Sequence, residues 1–154
     1  MNFDELTDVE LDELRMMQKS VTNTQTRWKD KPGHRQRNYV VDGGRYQFEL
    51  YQRQNINDTI DFSCGLAVIK PDGTRLTLCR YNGGSHIHRE IRFCCHIHKA
   101  TAAAMREGSK AEDHADETDR YKTLVGALFC LVSDCAISGL RDLHPDETDM
   151  FDQN

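Results

Sequence analysis

The sequence of residues 46–80 is YQFELYQRQNINDTIDFSCGLAVIKPDGTRLTLCR, and its pattern decides the fold class. Apolar and polar side chains alternate along residues 46–51 and 60–68, and a period of two is typical of strands with one buried face. Residues 70–74, KPDGT, place proline and glycine where a tight turn needs them. We therefore predict an antiparallel hairpin over residues 60–82. Its second strand continues the alternation with Leu76, Leu78 and Arg80.

Helical patterns flank these strands. Residues 7–10, TDVE, form a capping box and predict a helix over residues 8–19. Residues 99–106 favour a short helix ended by Gly108, and residues 118–137 repeat apolar side chains at three- and four-residue steps. The last segment predicts a core helix that ends near Gly139.

Two polar segments carry no such periodicity. Residues 20–35 are predicted to form a loop with Trp28 anchored on the core, and residues 107–116 an exposed connection. The order is thus one helix, several strands and two helices, without the strand–helix alternation of a parallel sheet. We predict an α+β fold in which an N-terminal helix and two C-terminal helices pack on an antiparallel sheet of about four to five strands.

Length and composition predict one domain and a cellular compartment. The 154 residues suit a single domain, which we assign to residues 1–143, with residues 144–154 as a flexible acidic tail. No apolar run approaches the roughly 20 residues of a membrane span, and the N-terminus is acidic. The six cysteines lie mostly in apolar runs, which favours buried thiols over disulfides. We therefore expect a cytoplasmic protein with no membrane partner.

Charge is strongly segregated along the chain. Residues 19–53 hold eight basic and three acidic residues, and residues 70–106 hold seven basic and two acidic ones, whereas both ends are acidic. Acidic helices that offset basic strands on solvated surfaces would account for this pattern. The alternative is that a basic face binds phosphates or an acidic partner.

The most distinctive feature is the run from His86 to His98, whose sequence is HIHREIRFCCHIH. An extended chain would place every second side chain on one face: His86, His88, Glu90, Arg92, Cys94, His96 and His98. Thirteen residues at roughly 3.3 Å each would span about 43 Å, which is long for a strand in a small domain. We therefore expect a bulge, bend or turn to interrupt it.

Three interpretations of the four histidines remain open. They can be polar side chains on a solvated sheet surface. They can bind zinc, since two histidines at a spacing of two can reach one ion and Cys94 or Glu90 offers a third ligand. They can also act as acid–base groups, because histidine titrates near neutral pH and neighbouring arginines can hold a phosphate. The third interpretation requires no cofactor. Its candidate phosphate ligands are Arg80, Arg89 and Arg92.

Four short segments resemble parts of small bacterial and prophage-encoded proteins that form a family of unknown function. They are residues 33–39 (GHRQRNY), 80–83 (RYNG), 95–101 (CHIHKAT) and 117–121 (ETDRY). The resemblance extends over most of residues 7–139. It implies a bacterial or phage origin, and small prophage-associated proteins are often toxins, antitoxins or inhibitors of host defence.

The leading hypothesis is an RNA- or nucleotide-acting protein of the toxin or defence type, with a metal-independent ribonuclease as its sharpest form. His96 and His98 are the first candidates for the acid–base pair, with His86 and His88 as the second. One alternative is a non-enzymatic antitoxin or phage-encoded inhibitor that binds a protein partner, and another is a zinc-binding protein. The sequence leaves open whether the protein is an enzyme and which oligomeric state it adopts.

Overall fold

The structure is a computed structural model and describes residues 1–85, 87–88, 91–92 and 94–140, with the side chains of 87–88 and 91–92 left undescribed. It contains the helices α1 (Asp8–Met16), α2 (Ala102–Arg106) and α3 (Leu124–Asp134). The strands are β1 (Lys19–Val21), β2 (Lys29–Lys31), β3 (His34–Asp42), β4 (Gln47–Asn55), β5 (Phe62–Ile69), β6 (Arg75–Asn82), β7 (Ile87–His88), β8 (Ile91–Arg92), β9 (His96–Lys99), β10 (His114–Glu117) and β11 (Ile137–Ser138).

Nine of these strands form one open sheet. Eight follow the order β10-β9-β6-β5-β4-β3-β1-β11, and β2 also pairs with β3, whereas β7 and β8 form a separate two-stranded sheet. All pairings in the large sheet are antiparallel except that of β1 with β11. The predicted α+β class with three helices is confirmed. The predicted count of about four to five strands is wrong because β1, β2, β10 and β11 have two to four residues each, too few to show a period.

The predicted hairpin is confirmed and contains a bulge. Strands β5 and β6 are joined by residues 70–74, where Gly73 has φ +87° and the amide of Lys70 donates to the carbonyl of Thr74. Val68 lies opposite Leu76, but Leu66 lies opposite Cys79, so β6 carries one extra residue.

The bulge reverses which face the end of β6 presents. In an unbroken register, Arg80 would lie opposite Cys64 in the core, whereas in the structure it lies opposite Gly65. Leu78 and Cys79 are consecutive and both buried. The predicted alternation of Leu76, Leu78 and Arg80 therefore fails after Leu78, and Arg80 points away from the core.

Helix α1 holds the bulge. It begins as predicted with a capping box between Thr7 and Glu10, and it buries Arg15 near its C-terminus. Arg15 Nη1 donates to the carbonyls of Leu78, at 3.1 Å, and Ala100, at 3.2 Å, while its Nη2 contacts Asp12 at 2.6 Å. One guanidinium thus adds a charged donor to a bulge carbonyl that also accepts from the amide of Ala100 at 2.9 Å, and it joins α1 to the sheet.

The helices lie on one face of the sheet and enclose the core there. Leu50, Leu66 and Tyr81 from the central strands share a buried apolar cluster with Leu128 and Leu131 of α3. Helix α3 is shorter than predicted. It begins after its N-cap Thr123, and it ends before Ala136, which has φ +52°.

Both segments that were predicted to be irregular contain strand residues. Residues 20–35 include β2 and the end of β1, and residues 107–116 include most of β10. Trp28 is partly buried and packs on the edge of the core as predicted.

The predicted tail, residues 144–154, lies outside the described residues, so the division into domain and tail stays a prediction. Within the described residues, none of the helices has the length and apolar character needed to cross a membrane.

A buried lysine joins α1, β1 and α3. Lys19 is 3% exposed, and its Nζ donates to the carbonyls of Arg15, Met17 and Cys135 at 2.7, 2.7 and 2.9 Å. Burial lowers the pKa of Lys19 to about 8, against the opposing effect of Cys135 and Cys79.

Replacing Arg15 with Met should destabilise the fold. The change leaves the carbonyls of Leu78 and Ala100 without their charged donor, and we expect the free energy of unfolding to fall by about 2–3 kcal/mol. Urea unfolding measures it, and exposed Arg106→Met serves as the control. Equal stability of the two variants would show that Arg15 does not hold the bulge.

Lys19 should make stability rise with pH. Between about 8 and 10.5 the unfolded chain holds a proton on Lys19 that the folded chain has lost, so raising the pH favours folding. The free energy of unfolding of wild type relative to Lys19→Met should therefore increase by at most about 1.4 kcal/mol per pH unit. Urea unfolding from about pH 7 to about pH 10 tests this. The free energy of unfolding of the exposed control Lys110→Met should change with pH as that of wild type does. If Lys19→Met also shows the wild-type pH dependence, Lys19 does not titrate in this range.

Candidate functional site

The sheet has a second face, opposite the helices, that carries mostly polar side chains. Directly paired residues of antiparallel strands point to the same side, so the strand register defines this face. One row across seven strands is Lys29, Gln36, Arg53, Ser63, Asn82, His96 and Glu117. The next row is Asn38, Tyr51, Gly65, Arg80, His98 and Ala115. We call the surface that contains these two rows the polar face.

The predicted pair His96 and His98 lies side by side on β9, within the polar face. Their ring centroids are 5.0 Å apart, and each residue is only 2% exposed. His98 Nδ1 lies 2.9 Å from the carbonyl of Glu112, and His96 Nδ1 lies 3.1 Å from the carbonyl of Cys94. A carbonyl oxygen can only accept, so Nδ1 carries the proton in both rings.

This tautomer orients Asn82. In the neutral form of this tautomer, Nε2 of His96 is an acceptor, and Asn82 Nδ2 lies 3.4 Å from it, at the long end of a hydrogen bond. The amide nitrogen of Asn82 therefore faces His96, which leaves its oxygen for another partner. Asn82 Oδ1 is buried, and within the part of the chain that the structure describes it accepts no hydrogen bond.

Arg80 lies directly opposite His98 on the neighbouring strand β6. Its Nη1 is 3.5 Å from Glu112 Oε1, a loose ion pair between two partly covered side chains. Its Nε is buried and has no hydrogen-bond partner among the described residues. Buried donors are normally satisfied, so this guanidinium has the capacity to bind a further acceptor.

Arg80 and Asn82 line a cleft of about 330 Å³, whereas His96, His98 and Glu112 do not. We call it the Arg80 cleft, and its lining is Tyr51, Arg53, Asp61, Phe62, Ser63, Arg80 and Asn82. Burial raises the pKa of Tyr51 despite its hydrogen bond with Ser63 and the nearby charge of Arg80. The cleft therefore offers two guanidinium groups, a protonated phenol and one unsatisfied amide oxygen. Such a set suits an anion that also carries a hydrogen-bond donor.

Gly65 makes room for one wall of this cleft. It is the register partner of Tyr51, and a Cβ at Gly65 would come within 2.6 Å of Tyr51 Cε1 and 2.9 Å of its Oη. Real Cβ atoms do not approach so closely, so the ring position depends on the glycine.

The remaining sequence candidates cannot be placed around this cleft. His86 and Arg89 lie outside the described residues, and His88 and Arg92 are described only as backbone of β7 and β8. The run from His86 to His98 is not one strand, because β7 pairs antiparallel with β8 before β9 begins. The predicted interruption is confirmed, whereas the convergence of the two His-x-His pairs stays a prediction.

The zinc hypothesis is likewise untested. No group of three or more histidine, cysteine or acidic side chains that could hold a metal ion occurs within residues 1–85 and 94–140. A zinc site that used His86 and His88 would involve side chains outside this part of the chain. All six cysteines are thiols outside any disulfide, although Cys79 Sγ and Cys135 Sγ lie 3.8 Å apart in the core.

Several residues of the cleft were not predicted from the sequence. Tyr51, Arg53, Ser63 and Asn82 were not among the predicted site residues. The available signal was their position, since Tyr51 and Arg53 occupy the polar phase of a strand whose other phase is buried. That signal marks every solvated strand and does not single out a binding site.

Comparison with known proteins adds no relative. No family model, curated protein or solved structure matches the chain. The resemblance to small bacterial and prophage-encoded proteins therefore stays a prediction, and the site must be interpreted from its own chemistry.

Replacing Gly65 with Ala should displace Tyr51. Overpacking of this kind costs about 1–3 kcal/mol of the free energy of unfolding, measured in urea. The same substitution in a Tyr51→Ala background should cost markedly less, because the clashing ring is gone. Strictly additive costs in the double variant would contradict a direct contact between the two residues.

Proposed function

We propose that the protein binds RNA or a nucleotide through the polar face, with a phosphate held in the Arg80 cleft. The observation that carries the proposal is the buried Arg80 Nε, which has no hydrogen-bond partner among the described residues. A phosphate oxygen would satisfy this donor, and Arg53 on the same wall adds a second positive charge.

The neighbouring acceptor favours a nucleotide over a simple anion. Asn82 Oδ1 needs a donor, which a fully deprotonated anion such as sulfate lacks and a sugar hydroxyl or a base N–H supplies. Tyr51 adds aromatic surface to the same cleft. Phosphate, hydroxyl and aromatic contacts together are typical of nucleotide and single-stranded RNA sites.

The ribonuclease form of the proposal assigns acid–base roles to His96 and His98. His96 reaches the cleft through its contact with Asn82, and His98 lies beside Arg80. Both rings are nearly covered, so direct proton transfer requires that a bound substrate gain access to them. Without that access, the two histidines orient Asn82 and support Glu112, and the protein binds without cleaving.

The proposal also includes a biological setting. A toxin or defence role in a bacterium or prophage rests on the sequence resemblance alone. The proposal of a cytoplasmic location rests on six cysteines that lie outside any disulfide, since oxidising compartments favour disulfides.

Replacing Arg80 with Met should weaken nucleotide binding. Loss of a charge-assisted contact, about 1.5–3 kcal/mol, corresponds to a roughly 10- to 100-fold higher Kd. Isothermal titration with nucleoside monophosphates measures it, and Arg53→Met should also weaken binding. Exposed Arg45→Met, on the turn after β3, is the matched control. The proposal fails if wild type binds no nucleotide, or if Arg80→Met binds as well as wild type.

A cleavage assay separates binding from catalysis. Wild type should cleave single-stranded RNA in the presence of a metal chelator, and His96→Asn and His98→Asn should lower the rate by about 10²- to 10⁴-fold while nucleotide binding persists. Growth after induced expression gives a parallel readout in cells. Wild type that binds RNA but cleaves none would leave a binding protein and refute the ribonuclease form.

A further inference from the structure

A second cleft lies on the polar face beside the first. Its volume is about 310 Å³, and we call it the Lys29 cleft. Its basic residues are Arg27, Lys29 and Lys31, which precede or belong to the edge strand β2. The rest of its lining is Asn23, Thr26, Gln36, Asn38, Tyr39, Val40 and Glu49.

The two clefts share a boundary. Gln36 and Asn38 line the Lys29 cleft, and their direct partners on β4, Arg53 and Tyr51, line the Arg80 cleft. Directly paired residues have Cα atoms about 4.5–5.5 Å apart and point to the same side. A ligand that filled one cleft and extended across β3 and β4 would therefore enter the other.

The length of the joined surface exceeds that of one nucleotide. Lys29 and Asn82 belong to one register row and are separated by four strand spacings, so they lie about 19 Å apart at roughly 4.8 Å per spacing. Single-stranded nucleic-acid sites on small β-sheet domains begin at about four nucleotides. A surface of this length suits such an oligonucleotide.

The charge of the joined surface also suits a polyanion. The two clefts contain five basic residues, Arg27, Lys29, Lys31, Arg53 and Arg80, against two acidic ones, Glu49 and Asp61. Glu49 is already paired with Arg75, at 3.0 and 2.8 Å, and Asp61 accepts from Asn55. The phosphates of an oligonucleotide could therefore contact basic side chains at both ends of the joined surface.

We propose that the two clefts form a single track for a single-stranded oligonucleotide of about four nucleotides. The inference rests on the proposed function of the Arg80 cleft and extends it from one phosphate to a strand. Tyr51, at the shared boundary, offers a ring for base stacking, and the polar side chains of β3 and β4 line the path. Base pairing would remove the faces and edges that such a track contacts, so single strands should bind better than duplexes.

Binding as a function of length tests the track. Fluorescence anisotropy with wild type should give at least a tenfold lower Kd for a tetranucleotide than for a mononucleotide, and little further gain per added nucleotide. The Lys29→Met/Lys31→Met variant should lose most of this gain, lower the salt slope by about 1.4, and bind the mononucleotide as wild type does. Exposed Lys110→Met/Lys122→Met, outside both clefts, is the charge-matched control. Arg27→Met, in the segment before β2, tests the same cleft without altering a strand.

The outcomes separate the track from the proposed function. A tetranucleotide that binds no tighter than a mononucleotide overturns the track and leaves the Arg80 cleft intact. Tighter oligonucleotide binding that the Lys29→Met/Lys31→Met and Arg27→Met variants retain also overturns it, because the extra contacts would lie elsewhere. Absence of binding to any of these ligands overturns both proposals. Titrations with RNA and DNA oligonucleotides of the same sequence show which sugar the track prefers. A duplex that binds as tightly as its single strand contradicts the assignment to single strands.

Discussion

The bulge at Leu78 is held by the guanidinium of Arg15, which donates to the carbonyls of Leu78 and Ala100. A strand alternates its side chains with a period of two, so one inserted residue exchanges the two faces from that point onward. Cys79 and Tyr81 therefore enter the core, and Arg80 and Asn82 emerge on the polar face. Every proposed ligand contact on β6 depends on this exchange.

The exchange has structural consequences on both faces. In the core, Tyr81 stacks with Tyr121 and its hydroxyl reaches Asp134 of α3, which is also paired bidentately with Arg120. On the polar face, Asn82 and Arg80 become the direct partners of His96 and His98. The same residue insertion thus contributes to the sheet–helix packing and brings the histidines of β9 beside the cleft residues of β6.

The sequence predicts the regular parts of this arrangement and misses the irregular ones. Alternation over residues 46–51 and 60–68 is long enough to identify β4 and β5, and the capping box identifies α1. The bulge leaves only a doublet of apolar residues, Leu78 and Cys79, which a strand pattern does not distinguish from an ordinary buried segment. The strands β1, β2, β10 and β11 have only two to four residues each, too few to show a period. Chemical type is sufficient to select candidates such as His96, His98 and Arg80, whereas residues that only their position in the fold marks as candidates are missed. Tyr51 and Asn82 acquire their proposed role only through pairing between strands distant in sequence, which no local pattern contains.

The basic middle of the chain shows why composition overestimates a binding surface. Lys19, within the first basic segment, is buried against three carbonyls. Arg35 and Arg37 lie over the ring of Trp28, and the register places them on the side opposite the polar face. The basic side chains that remain on the polar face, from Lys29 to Arg80, lie along the register rows. In the proposed track, it is this alignment across the strands, more than the net charge, that would favour an extended polyanion over a compact anion.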